Sequence, residues 1–173
     1  MIEKFKTLFF VKSSLISLYL ALTIPITLIS IDELRYFSIV TFVLGLYLII
    51  NITSDYVETC NNKISYKTSF ISKPLGKKNW EISWKDIKLI KSLPTSQGSK
   101  VYYFNTFQGD NFLVPQRVEN FDKFLSIVSR NTGITVNEIC YVSPIWTYKL
   151  LTLLSVLMII GELLLFSVKY YQY

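Results

Sequence analysis

The sequence predicts an α+β membrane protein: three transmembrane helices, two of them an N-terminal hairpin and one C-terminal, hold a small antiparallel β unit closed by one amphipathic helix. Three observations carry this reading. The 173 residues are 51% hydrophobic and 16% aromatic, too apolar for an ordinary water-soluble domain of this size. The apolar residues gather in three blocks, Ser13 to Ile31, Phe37 to Thr53 and Leu150 to Val168, each about the 17–25 residues that cross a hydrocarbon core roughly 30 Å thick. Between the second and third blocks, short runs alternate with a period of two and then give way to helical spacing.

Lys4, Lys6 and Lys12 precede the first block as the charged region of a secretory signal would. The apolar run is longer than a signal core, lacks a small-residue cleavage site and is followed closely by a second block, so a retained helix is expected. Pro25 inside it is tolerated where neighbouring groups satisfy the freed carbonyl, with a mild kink. Asp32-Glu33-Leu34-Arg35 is expected to turn the chain into an antiparallel return, with Asp32 capping the second helix. That helix runs from Tyr36 to Thr53, and the polar stretch Asn51 to Asp55 marks its interface. Three lysines in the N-terminal tail against one arginine in the hairpin loop orient the N-terminus and the β unit toward the cytoplasmic or stromal side. The last helix then crosses to the opposite face and leaves Lys169 to Tyr173 there. Those tyrosines, with Trp146 and Tyr148 at the other end, fit aromatic belts at both interfaces.

In the polar segment, Tyr56 to Cys60 and Lys63 to Ser69 alternate around Asn61-Asn62, a hairpin signal. Trp80 to Trp84 and Ile87 to Leu93 continue the alternation. Val101 to Phe107 returns through Gly109-Asp110-Asn111 to Phe112 and Val114. After Pro115 the period changes: Val118, Phe121, Phe124, Leu125 and Val128 recur at helical spacing, with Glu119 or Asn120 at the start and Gly133 as the stop. The expected division is therefore 1–54 for the tail and hairpin, 55–142 for the β unit and 143–173 for the last helix. Trp80, Trp84, Tyr102, Tyr103 and Phe104 are read as its core.

Ile82-Ser83-Trp84-Lys85-Asp86-Ile87-Lys88-Leu89-Ile90 is similar to the "apolar, x, Trp, x, Asp-Ile" strand-to-turn signature of the bacterial pleckstrin-homology-like (PH-like) group. As in that group, a hairpin, Phe112-Leu113-Val114-Pro115 and a helix from Glu119 follow. The resemblance covers about half the chain and implies a PH-like antiparallel β-barrel capped by the amphipathic helix, in a family often carrying two N-terminal membrane helices. The third helix departs from that arrangement. A second resemblance, carried by Lys85-Asp86-Ile87, is to the photosystem I assembly factor family of cyanobacteria and plastids, which also places two membrane helices ahead of a β-rich domain with a final helix. It implies an assembly role in a thylakoid membrane, with the third helix again extra.

Histidine is absent, which removes the commonest general base and the neutral imidazole ligand. Cys60 and Cys140 match no metal-ligand spacing. They flank the β unit and would meet if its ends were close; in a reducing compartment, two buried free thiols are the expectation. Gly76-Lys77-Lys78 lacks the leading glycine and the following serine or threonine of a phosphate loop. No catalytic, cofactor or metal site is expected, and neither is nucleic-acid binding or a small-molecule substrate.

Charge is the remaining signal. Ser54 to Trp146 holds ten lysines and two arginines against eight carboxylates, a net of +4. Lys73, Lys77, Lys78, Lys85 and Lys88 are expected to meet an anionic lipid surface, where each lysine contributes about 1 kcal/mol, or a membrane-protein partner. A solvated basic face without a ligand is the equal alternative. In the last helix Glu162 stands beside Gly161, and a carboxylate within a span is costly enough to mark function. Helix packing or a partner contact is expected there rather than proton transport, with Gly161 permitting close approach; snorkelling to the interface or protonation are the bland alternatives. The functional expectation is a non-catalytic, membrane-anchored interaction or scaffold protein that helps assemble or stabilise a membrane complex. The alternatives are a permanent small subunit of such a complex and a binder of anionic headgroups.

Overall fold

The computed structural model describes residues 2–96 and 98–171. Its elements follow the order β1 (Glu3–Lys6), α1 (Phe9–Ile29), α2 (Asp32–Ile52), β2 (Tyr56–Thr59), β3 (Lys63–Lys67), β4 (Trp80–Ser83), β5 (Ile87–Pro94), β6 (Lys100–Thr106), β7 (Asn111–Leu113), α3 (Phe121–Thr132) and α4 (Ile145–Tyr171). The chain divides into two compact units, Met1–Leu8 with Ser54–Pro144 and Phe9–Thr53 with Ile145–Tyr173.

The β unit holds two antiparallel sheets, β1-β2-β3-β4 and β5-β6-β7. The closed barrel implied by the family resemblance does not form among the described residues. The ladder breaks where β4 runs into a 3-10 turn, Trp84–Asp86, before β5 begins. The Trp-containing signature is this corner. Ile82, Trp84 and Ile87 are buried, while the Trp84 indole N–H donates to the Cys60 carbonyl at 2.7 Å and its backbone N–H to that of Asn62 at 3.1 Å. The tryptophan thereby ties the corner to the β2–β3 turn. One core fills the unit, built around Val57, Ile64, Phe104 and Val114. Helix α3 buries Phe121, Phe124, Leu125 and Val128 as its spacing requires, and Gly133, at φ 71°, ends it.

Strand β1 is the main departure from the sequence reading, which treats the first residues as a tail belonging with the hairpin. Phe5 is buried opposite Val57 and meets Phe124 edge-on at 5.5 Å. Lys4 pairs with Glu58 directly across the ladder at 2.9 Å, and Glu3 with Lys123 of α3 at 2.6 Å. The α1–α2 hairpin is therefore inserted between two neighbouring strands of one sheet.

In β5, Ile87 opposes Thr106 and Leu89 opposes Asn105, so the ladder slips at Lys88. A bulge of this kind reverses which side of the sheet later residues face. Ile90 stays with Phe104 on the core side, while Leu89, Lys91 and Leu93 turn outward.

In the helical unit α1 packs against both α2 and α4. The Tyr19 hydroxyl donates to the Phe42 carbonyl at 2.8 Å, and its phenol lies against Gly45, where a Cβ would collide with the hydroxyl oxygen. Toward α4, α1 buries Ser14, Ser17 and Ala21, and α4 buries Ser155, the small residues that let helices approach closely. Lys149 sits 4.9 Å from the Phe10 ring, so α1 and α4 begin at the same end. The hairpin turn is Ser30-Ile31, and the segment expected as the turn, Asp32 to Arg35, is the first turn of α2. The helix starts at Asp32, so Ile31 occupies the capping position, where its apolar side chain has no atom to accept a hydrogen bond. The expected Asp32 cap and the C-terminal tyrosine belt fall on side chains outside the described residues. Phe9–Ile29, Glu33–Ile52 and Ile145–Val168 are each long and apolar enough to cross a membrane.

Candidate functional site

Two surfaces of the β unit stand out. The first is the loop between β3 and β4, residues 68–79. Its base is closed by Asn79, whose Oδ1 accepts from the Thr68 N–H at 2.7 Å and the Thr68 hydroxyl at 2.9 Å. Inside it, Ser72 N–H bonds the Ser69 carbonyl and Gly76 N–H the Lys73 carbonyl, with Gly76 at φ 83° making the turn that a side chain would strain.

The loop is fastened to Asp55, which is 5% exposed. The Asp55 carboxylate accepts four bonds: from the Tyr66 hydroxyl at 3.0 Å, the Ser69 N–H at 3.0 Å, the Ser72 hydroxyl at 3.3 Å and the Lys77 ammonium at 2.5 Å. Its own carbonyl accepts from the Thr7 hydroxyl at 2.9 Å. Burial, reinforced by the adjacent Asp55 charge, holds the Tyr66 phenol protonated well above the usual tyrosine range. Strand β3 and the loop thus converge on one carboxylate, and Thr7 on the backbone of the same residue. Two large apolar side chains nevertheless project from this fastened loop, Phe70 at 82% and Leu75 at 63% exposure. Lys73 lies 5.8 Å from the Phe70 ring, and Lys78 is exposed.

The second surface is the outer face of β5-β6-β7. The slip at Lys88 brings Leu89 and Leu93 to solvent, each at 41% exposure, where they share a face with Leu113 of β7 at 49%, with Val101 and Tyr103 half-buried between them and Lys91 on the same face. Lys85 in the 3-10 turn and Lys88 at the bulge are both exposed.

The five lysines singled out by charge therefore have different surroundings. Lys73 and Lys78 decorate the loop, Lys85 and Lys88 stand at the corner leading into β5, and Lys77 is engaged by Asp55. The sequence reading passes over Asp55, Phe70, Leu75 and the three leucines. Asp55 reads as an interface marker because nothing local shows that its carboxylate is buried, and the outward turn of Leu89 depends on a bulge that alternation alone does not reveal.

In α4, Glu162 Oε2 is buried without a hydrogen-bond partner among the described residues, and nothing lies within 4 Å of where a Cβ on Gly161 would be. Both cysteines are free; Cys60 is half-buried, but Cys140 is exposed, because neighbouring Ile139 takes the buried position. No cluster of three or more Cys, Asp or Glu suited to a metal occurs among the described residues.

The uncharacterized protein slr0269 of Synechocystis sp. is 30% identical to this chain over 155 residues, a span covering 86% of this chain and 77% of that protein. No family model and no solved structure matches the chain.

Proposed function

The chain belongs to one family with the Synechocystis protein slr0269, and we propose that it is a non-catalytic, membrane-anchored interaction protein whose PH-like unit binds a membrane-protein partner and helps assemble or stabilise a complex. One observation carries the reading: the outward leucine face of β5-β6-β7. Three leucines left in solvent on one sheet face, around Val101 and Tyr103, mark an interaction surface, and the interleaved Lys91 and Asn105, with Lys85 and Lys88 at the corner, favour a partner that is polar and acidic around its apolar contacts.

The PH-like assignment draws support from the strand plan, four strands then three and then a helix. In this proposal α1, α2 and α4 cross the membrane. Pairing of β1 with β2 demands that the hairpin return the chain to the side it left, and the N-terminal lysines favour the cytoplasmic or stromal side.

The test is Leu89→Asp with Leu113→Asp, followed by mild detergent extraction, native gel and mass spectrometry. The wild-type chain is expected to migrate with a membrane complex and the variant to run free with its β unit still folded. Identical migration of the two refutes the surface. Because the relative is cyanobacterial, thylakoid complexes are the first to probe, and capture with precursors separates an assembly role from residence in the mature complex. A permanent-subunit reading is favoured by one observation of its own, the open side of Gly161 in α4, which leaves room for the close approach of a neighbouring span.

A further inference from the structure

The 68–79 loop carries chemistry that the partner surface does not use. It contains three lysines and no carboxylate. One lysine, Lys77, is committed to Asp55, leaving Lys73 and Lys78 beside the two projecting apolar groups. The projection of Phe70 and Leu75 is imposed by the fold rather than by a loose chain: Ser72 between them is fully buried, and both ends of the loop are hydrogen-bonded. Asp55 follows Thr53, the residue capping α2, by two positions, at most about 7 Å of extended chain. Aromatic and leucine side chains flanked by lysines, whose stems snorkel, are the composition of a membrane–water interface.

We propose that this loop is an interfacial anchor: Phe70 and Leu75 enter the headgroup layer of an anionic bilayer, and Lys73 and Lys78 engage its lipid phosphates. The inference rests on α2 crossing the membrane, as proposed above. Asp55 and Lys77 then have a positioning role, presenting the loop preformed so that docking does not have to order it.

The experiment uses the full chain with Cys60 and Cys140 replaced by serine and an environment-sensitive fluorophore on Leu75→Cys, reconstituted in nanodiscs of phosphatidylcholine alone or mixed with phosphatidylglycerol. Phe70→Cys serves as a second probe and Asn62→Cys, in the β2–β3 turn, as the water-exposed control. In anionic discs the Leu75 and Phe70 probes are expected to shift to the blue and be quenched by brominated acyl chains, while the Asn62 probe stays water-like. Lys73→Ala with Lys78→Ala should lower the ratio of docked to undocked loop by roughly tenfold or more. A water-like Leu75 probe in anionic discs overturns the anchor. So does a shielded probe that lipid bromine does not quench, which would indicate a protein contact, or a docked fraction indifferent to the two lysines. Co-elution with lipid is read separately. A chain that stays outside the discs refutes the spans and the anchor together, whereas an incorporated chain with an exposed probe refutes the anchor alone.

Discussion

Replacing Asp55 by alanine removes the one acceptor that four donors from the β3–β4 loop region share. Hydrogen bonds to a charged group contribute about 1.5–3 kcal/mol each when taken singly, but bonds converging on one carboxylate are not additive. The Lys77 side chain is 40% exposed, so solvent screening reduces that ion pair to about 1 kcal/mol. The remaining donors are more enclosed, and Ser72 would be left with a buried, unpaired hydroxyl. Together these give an expected loss of about 3–5 kcal/mol for Asp55→Ala, most of it from the enclosed hydrogen bonds rather than the ion pair. Lys77→Met is expected to cost about 1 kcal/mol, because three donors still serve the carboxylate. Amide hydrogen exchange of the detergent-solubilised chain reads the effect locally, since the Ser69 N–H donates to Asp55 Oδ1. In Asp55→Ala the segment 66–77 should lose protection while α3 keeps most of its own. Denaturant midpoints of the two single variants and the double variant supply the coupling. If segment 66–77 keeps its wild-type protection in Asp55→Ala, or if the two losses simply add, the carboxylate does not organise the loop.

Four further outcomes follow from particular contacts. The folded unit binds the Tyr66 proton more tightly than the unfolded chain does, so its stabilising contribution is complete below about pH 10, the ordinary tyrosine value, and is lost as pH rises beyond it; denaturant midpoints against pH should fall less steeply in Tyr66→Phe, with Tyr102 and Tyr141, raised mainly by burial, accounting for part of the residual slope. Gly45→Ala drives a methyl into Tyr19 and should cost about 1–3 kcal/mol by overpacking, an effect that Tyr19→Ala relieves in a melting comparison of single and double variants. Phe5→Ala should cost about 3–5 kcal/mol, which a midpoint shift in urea measures; a loss near zero would mean that β1 does not belong to the core. Glu162→Leu removes a buried oxygen without a partner and is expected to raise the melting temperature of the isolated chain in detergent, whereas a fall would show that the carboxylate is already satisfied within the chain.

Local signals were strong enough to reveal most of the elements. Strands β2 to β7 announce themselves through alternation and turn residues, α3 through Phe121, Phe124, Leu125 and Val128, and the three apolar helices through length. What escaped depends on partners far away in sequence. Lys73, Lys77 and Lys78 look equivalent along the chain, and only the position of Asp55, 22 residues before Lys77, separates the fastening lysine from the two free to meet a surface. The leucines of β5 look like core because their alternation starts in phase with Ile87. The slip at Lys88 that turns them outward is a property of pairing with β6, and pairing cannot be read from one strand.

Strand β1 is the sharpest instance, and it bears on how the chain is put together. Glu3-Lys4-Phe5-Lys6 offers one apolar residue among charges, a pattern indistinguishable from the basic flank of a membrane helix. Its strand character arises because Val57 and Phe124 give Phe5 a buried seat and because Glu58 and Lys123 complement Lys4 and Glu3, the two charges before it. All of those partners lie beyond the α1–α2 hairpin. The cost of closing a chain grows only logarithmically with loop length, so so long an insertion is tolerable when the returning strand brings matched contacts. The edge of the first sheet therefore cannot be completed until both helices of the hairpin have brought the chain back, which makes folding of the β unit dependent on the hairpin it carries.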